Sequence, residues 1–192
     1  MNAPAPMHLP RFFVKQKLTM MVNRYEVVAA NPDGSEGQLM AVAQQKRLAF
    51  KEQVTFFADE GRTRPVFSFK ARQRLDLGAG YDVTDEAGQP LAYFKKDFGA
   101  SLLRSTFTLQ GPGYAATGQE RNQAVALIRR FADIPFLRFH FDFTDDTTGQ
   151  LLMSSDRQVS LRDRYTVDVP DPRLDFRVAA AMAVGLDALM GR

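Results

Sequence analysis

The stretch Arg173-Leu-Asp-Phe-Arg-Val-Ala-Ala-Ala-Met-Ala-Val-Gly-Leu-Asp-Ala-Leu-Met190 decides the fold. From Val178 to Leu186 no polar residue appears on any side, so a helix here is apolar all round and must be enclosed by lipid or by protein. Crossing a bilayer takes about 20 apolar residues, and Arg177 and Asp187 close the run well short of that. Protein is the remaining enclosure. Asp171 fits a helix N-cap, Pro172 the first helical position, and Gly191 the position past the end. Ala179, Ala180, Ala181, Ala183 and Gly185 let neighbours approach closely, while Leu174, Phe176, Val178, Met182, Leu186 and Leu189 supply the bulk of a core helix.

The rest of the chain says what surrounds that helix. Phe136 to Asp145 alternates with a period of two, with Leu137, Phe139, Phe141 and Phe143 opposing Arg138, His140, Asp142 and Thr144. Val66 to Arg72 does the same, as do Tyr25, Val27 and Ala29, and Tyr165, Val167 and Val169. These are strands with one dry face. Turn chemistry repeats between them: Tyr81 to Leu91 resembles Phe141 to Leu151, and Asn31 to Leu39 is a weaker copy. Each copy has Asp or Asn at the strand end, a Gly free to take positive φ, and an apolar restart at Leu. A succession of hairpins followed by an all-apolar helix predicts a mainly β fold with α: a closed antiparallel β-barrel of about 12 strands around the buried C-terminal helix.

A second helix is expected on the surface. In Glu120 to Asp133 the spacing of Ala124, Leu127, Ile128 and Phe131 gives one apolar face, with Arg121, Arg129 and Arg130 around the other, and Ile134-Pro135 stops it. Met1 to Pro10 reads as a disordered leader and residues 11–192 as a single barrel domain, the chain being of a size that buries a core without staples. With no cysteine, disulfides, thiolate nucleophiles, thiolate metal sites and S-palmitoylation are excluded. No secretory signal or transmembrane segment is visible, and zero cysteine fits a reducing, cytoplasmic setting. A formal net charge of +3 permits an anionic partner without demanding one.

Hairpins capped by a buried helix resemble the LURP-one-related family, whose barrel is shared with phospholipid scramblases and the tubby C-terminal domain. The residues that carry the resemblance are Phe13 to Leu18, Arg24 to Val27 with the Gly turn after it, Asp163 to Val169, and Ala179 to Leu189 with Asp187 in the last turn. It spans Phe12 to Met190; the departure is Gln110 to Ile134, where a Gly-Pro-Gly turn and the basic helix exceed one hairpin. The resemblance implies a non-enzymatic barrel that binds anionic phospholipid, such as phosphoinositide head groups, or a protein partner at the membrane surface. The candidate head-group residues are Lys70, Arg72, Arg74, Lys95, Lys96, Arg129 and Arg130, on polar faces and turns. A scramblase-like membrane protein using the C-terminal helix is the alternative.

Scramblases also bind calcium near their last helix, which makes Asp163, Asp168, Asp171 and Asp175 weak candidates. Their spacing does not fit an EF-hand loop, and helix capping explains Asp171 better. Catalysis rests on His140 alone, which Asp142 could pair from two residues along the strand; no nucleophile turn, metal-ligand spacing or phosphate loop accompanies it, so no catalytic residue or cofactor is assigned. Nothing resembles a nucleic-acid-binding element.

Overall fold

The computed structural model describes residues 7–18, 22–46, 53–72, 80–97, 105–121, 140–158 and 164–190. Twelve strands follow one another: β1 (Arg11–Leu18), β2 (Val22–Ala30), β3 (Glu36–Lys46), β4 (Gln53–Phe57), β5 (Pro65–Ala71), β6 (Tyr81–Asp85), β7 (Pro90–Asp97), β8 (Thr106–Gly111), β9 (Tyr114–Glu120), β10 (His140–Asp145), β11 (Leu151–Gln158) and β12 (Arg164–Asp168). Each pairs antiparallel with its sequence neighbours, and β1 pairs with β12 to close the barrel. The helix α1 (Phe176–Met190) fills it. The predicted barrel and buried helix are therefore borne out. Of the predicted surface helix, Glu120 is the last residue of β9 and Arg121 follows it; residues 122–139 lie outside the described residues.

Strand alternation places the apolar residues inward. Phe67 and Phe69 on β5, Phe94 on β7, Phe107 and Leu109 on β8, Phe141 and Phe143 on β10, and Tyr165 and Val167 on β12 are all essentially inaccessible. They meet a helix whose Val178 to Leu186 positions are buried wherever Cβ points, Gly185 being closed off by the ring of Phe94, 2.9 Å from where a Cβ would be. Phe67 meets Phe176 edge-on at 6.2 Å, and Phe69 and Tyr81 pack on Phe94 at 5.6 and 5.0 Å. Outward positions of the same strands include the charged or hydroxylated Ser68, Lys70, Tyr93, Thr106, Thr108, Asp142, Arg164 and Thr166. No helix among the described residues is long and apolar enough to cross a membrane.

The repeated Asp of the turns now has a cause. Asp85 Oδ1 accepts from the N–H groups of Ala87 and Gln89, and Asp145 Oδ1 from those of Thr147 and Thr148, at 2.8–3.0 Å. Gly34, Gly88 and Gly149 take φ near +81°, +77° and +69° in the three related turns, a conformation that a side chain opposes. Gln110 to Glu120, where the resemblance departs, is an ordinary hairpin of β8 and β9 turning on Pro112 and Gly113.

One boundary differs from the sequence reading. Arg173 does not begin the helix and Asp171 does not cap it. Asp171 holds a preceding turn, accepting from the Arg173 and Leu174 N–H groups, and Asp175 is the N-cap, its Oδ1 accepting from the Arg177 N–H at 2.9 Å. The same sequence offers two Asp caps four residues apart; each takes the guanidinium two residues on, Arg173 or Arg177, and the later one, which starts the helix, also accepts from the N–H of Met7. Residues 7–10, read as leader, run beside this end: the Phe176 N–H donates to the Met7 carbonyl and the Val169 N–H to the Pro10 carbonyl.

Candidate functional site

The topology sorts the connections. The turns among the described residues, at 31–35, 58–64, 86–89, 112–113 and 146–150, lie at the pole where α1 begins; the connections outside the described residues leave and re-enter the sheet at the pole where α1 ends. The candidate basic residues of β5 and β7 fall in the half of the barrel near this second pole, because β5 and β7 both run from the turn pole towards it.

Register fixes which of them share a face. Lys70 on β5 stands opposite Asp82 on β6, which stands opposite Tyr93 on β7, making one outward row. Arg72, just past β5, forks onto Asp82 with Nε–Oδ2 at 2.9 Å and Nη2–Oδ1 at 2.7 Å, and its guanidinium lies 4.0 Å from the centroid of the Tyr93 ring. That hydrogen bonding raises the Arg72 pKa further above its ordinary value and commits its charge to Asp82. The Tyr93 ring in turn covers the bare backbone of Gly80, where a Cβ would fall 2.0 Å from it. Lys70 and Lys95 are exposed beside this stacked platform, and no ion pair to either is formed among the described residues. By strand spacing their Cα atoms are about 12 Å apart, a separation that two four-carbon stems can narrow onto one phosphorylated head group.

Lys96 points the other way. Alternation turns it towards the barrel end, where Nζ donates to the Leu189 carbonyl at 3.0 Å, a cation on the negative end of the helix. Arg74, Arg129 and Arg130 lie outside the described residues. So the structure brings Lys70, Arg72 and Lys95 together and separates Lys96 from them.

Of the acidic candidates, Asp168, Asp171 and Asp175 are engaged at the turn pole. Asp168 pairs with Arg11 across β12 and β1. Asp171 binds Arg173, which also reaches Asp145 at 2.8 Å. Asp175 binds Arg177 and the Met7 N–H. Asp163 lies outside the described residues, among which no group of three or more potential metal ligands occurs. The Asp171 carboxyl is held below its usual range chiefly by the hydrogen bond from Arg173, and the Asp145 carboxyl by the N–H groups of Thr148 and Thr147 and then by Arg173. An unfolded chain therefore takes up protons that the folded chain refuses as pH falls through the ordinary Asp range near ~3.9. Stability from these two groups is present above that range and lost below it. Urea midpoints measured from pH 6 down to pH 3 are expected to fall, and Arg173→Gln should lower the midpoint at pH 6 while making the acid limb shallower.

His140 is an outward residue of β10, and its partner is not Asp142. Its Nδ1 is 2.7 Å from Asp156 Oδ1 on β11, the residue directly opposite in register, whereas Asp142 takes the forked guanidinium of Arg121. A directly opposed neighbour is closer than one two positions along the same strand.

A second polar network escaped the sequence reading. Asp187, on the last turns of α1, accepts from the hydroxyls of Tyr25 on β2, at 3.1 Å, and Tyr165 on β12, and Gln16 donates to the Tyr25 oxygen at 3.2 Å. Burial first, then the Asp187 charge, drive the Tyr25 pKa well above its ordinary value, so the phenol stays a donor. The available signal was the placement of Tyr25 and Tyr165 on dry strand faces, where a hydroxyl needs a partner. Glu26 was also missed: outward on β2 yet nearly buried, it gathers Lys17 at 2.7 Å, Arg24 at 3.5 Å and Lys15 at 3.8 Å.

Comparison with known proteins gives a family and a likeness to distant solved structures. The model of the family described as LURP-one-related matches residues 39–187. No curated protein sequence matches the chain. Among solved structures, a porin-like protein from Bacteroides uniformis aligns over 85% of this chain and 97% of its own, with 6% identity and a TM-score of 0.27, too distant to carry an argument.

Proposed function

The chain belongs to the LURP-one-related family, and from that premise we propose that it works without catalysis, as a plugged barrel attaching peripherally to membrane by binding anionic phospholipid head groups on its outer wall. The observation that carries this reading is the pair of exposed ammonium groups, Lys70 and Lys95, beside the Arg72–Asp82–Tyr93 platform. A phosphorylated head group needs converging cations that are not spent on internal carboxylates, and a rigid sheet face holds these two in fixed register. Phosphoinositides, with several phosphates on one ring, make the best use of such a pair.

Two features of the fold support surface attachment over other modes. With α1 filling the interior, ligand contact belongs to the outside rather than to a lipocalin-like cavity. A barrel that spans a membrane presents apolar side chains outward, whereas the outward row here is Lys70, Asp82 and Tyr93, and β10 and β11 carry His140, Asp142 and Asp156 outward. A scramblase-like use of α1 in the bilayer would require the helix to leave the barrel that buries it.

Vesicle pelleting tests the proposal. The parent protein should pellet with phosphatidylcholine vesicles containing phosphatidylinositol bisphosphate at low salt and less at higher salt. Lys70→Gln with Lys95→Gln should weaken binding by about fivefold per charge removed, with circular dichroism and urea midpoint unchanged. Pelleting of the double variant equal to the parent, or none by either, rejects this site.

A further inference from the structure

The two poles of the barrel differ in charge, and the difference follows the direction of α1. The turn pole carries Asp33, Asp59, Glu60, Glu86 and Asp146 in its turns against Arg62 and Arg64. The three further cations near it, Arg11, Arg173 and Arg177, are each tied to a carboxylate of the same end, Asp168, Asp171 and Asp175. At the opposite pole the strand ends carry Lys17, Arg24, Lys70, Arg72, Lys96 and Arg121, with Arg157 and Arg164 on the facing strands. Of the carboxylates of this half, Glu26 is met by Lys17 and Arg24, Asp82 by Arg72, Asp142 by Arg121 and Asp156 by His140, Asp187 takes the hydroxyls of Tyr25 and Tyr165, and Asp97 and Glu120 end β7 and β9. Lys70 and Lys95 form no ion pair among the described residues. Charge and helix direction agree, since the positive helix end lies among acids and the negative end among bases.

We propose that the pole where α1 ends is the membrane-facing end of the molecule, so that the barrel stands on an anionic bilayer with its axis near the membrane normal and its acidic turn pole towards water. This rests on the head-group reading above and adds the orientation. The physical reason is the field: a bilayer carrying phosphatidylserine or phosphoinositide attracts the basic end and repels the acidic one, and over a barrel longer than the Debye length of about 8 Å the two ends are acted on separately. A molecule lying on its side would bring the acids of the turn pole to the surface as well.

The absence of cysteine makes the orientation measurable in the full chain. Gln53→Cys places a single thiol at the start of β4 by the basic pole, and Ala87→Cys places one in the β6–β7 turn at the acidic pole; both positions are exposed. Each is labelled with an environment-sensitive nitrobenzoxadiazole and mixed with phosphatidylcholine vesicles with and without phosphatidylinositol bisphosphate, pelleting being followed in parallel. The expected result is a blue shift and a severalfold rise in emission for the label at position 53 on anionic vesicles only, with none at position 87. Arg62→Gln with Arg64→Gln should leave pelleting undiminished. Pelleting with an emission change at position 87, at both positions or at neither would overturn the orientation while leaving head-group binding standing. No pelleting by either labelled protein or by the parent would remove the head-group reading and the orientation with it.

Discussion

Replacing Ala181 by Asp is expected to lower stability at pH 7 by about 4 kcal/mol or more, enough to leave much of the chain insoluble on expression. Ala181 has no accessible surface and stands in the middle of the apolar run of α1, with apolar residues on the helix to either side and the inward strand faces around it. A carboxyl there has no designed partner and must be buried ionised or take up a proton. It will take up the proton, which gives the variant a signature that a packing defect lacks. Its folded-state pKa rises above the unfolded value of about 3.9, so the folded form holds a proton the unfolded form has lost, and the deficit relative to the parent grows with pH by up to about 1.4 kcal/mol per unit between those two values. Urea denaturation of both proteins at pH 4.5, 6 and 7.5 should show the gap widening. Gly185→Leu is the contrast: its Cβ would already fall 2.9 Å from the Phe94 ring, so the cost is overpacking of about 1–3 kcal/mol with no pH dependence of its own. A soluble Ala181→Asp protein as stable as the parent would mean that α1 is not enclosed.

The enclosure of α1 was legible because it follows from one-dimensional facts. Val178 to Leu186 has no polar face, the strands alternate, and the Asp-to-Gly turns repeat. Closure itself was legible only as the way to surround such a helix; the pairing that does it, Phe12 opposite Val167 and Val14 opposite Tyr165, joins the two ends of the chain and has no local signature. The same limit governs the site. That Lys95 and Lys96 face opposite ways is contained in the alternation, yet both were grouped as surface cations, because composition draws attention to the charge and not to the face. That Arg72 is spent on Asp82 while Lys70 is not depends on reach across the β5–β6 pair: a guanidinium forks onto the neighbouring carboxylate and stacks on Tyr93, geometry an ammonium cannot copy. His140 choosing Asp156 over Asp142 is again a matter of register. Periodicity shows which face a residue takes, and only pairing shows its neighbour.

Arg177→Met should cost about 3 kcal/mol and should be repaired in part by a second change at Asp175. Arg177 is 5% exposed, and its guanidinium forks onto Asp175 with Nε–Oδ1 at 3.0 Å and Nη2–Oδ2 at 2.8 Å and lies 3.7 Å from Glu86 in the β6–β7 turn. Hydrogen bonding to Asp175 raises its pKa further, so it is charged at every accessible pH. Met fills much of the same volume, which leaves the lost charge as the main effect: among the described residues Asp175, itself 6% exposed, keeps the N–H groups of Arg177 and Met7 as donors to its carboxylate. An ionised group without its counter-ion in that position is what destabilises the variant, more than the loss of attraction. Asp175→Asn with Arg177→Met removes the stranded charge while keeping an oxygen to cap α1, and should recover 1–2 of those ~3 kcal/mol in a double-mutant cycle on urea unfolding. If the double variant is instead no better than Arg177→Met alone, the arginine acts by packing the helix start against the barrel wall. In that case the acidity of the turn pole is not tied to the anchoring of α1, and the charge difference between the poles would need a cause outside the fold's own stability.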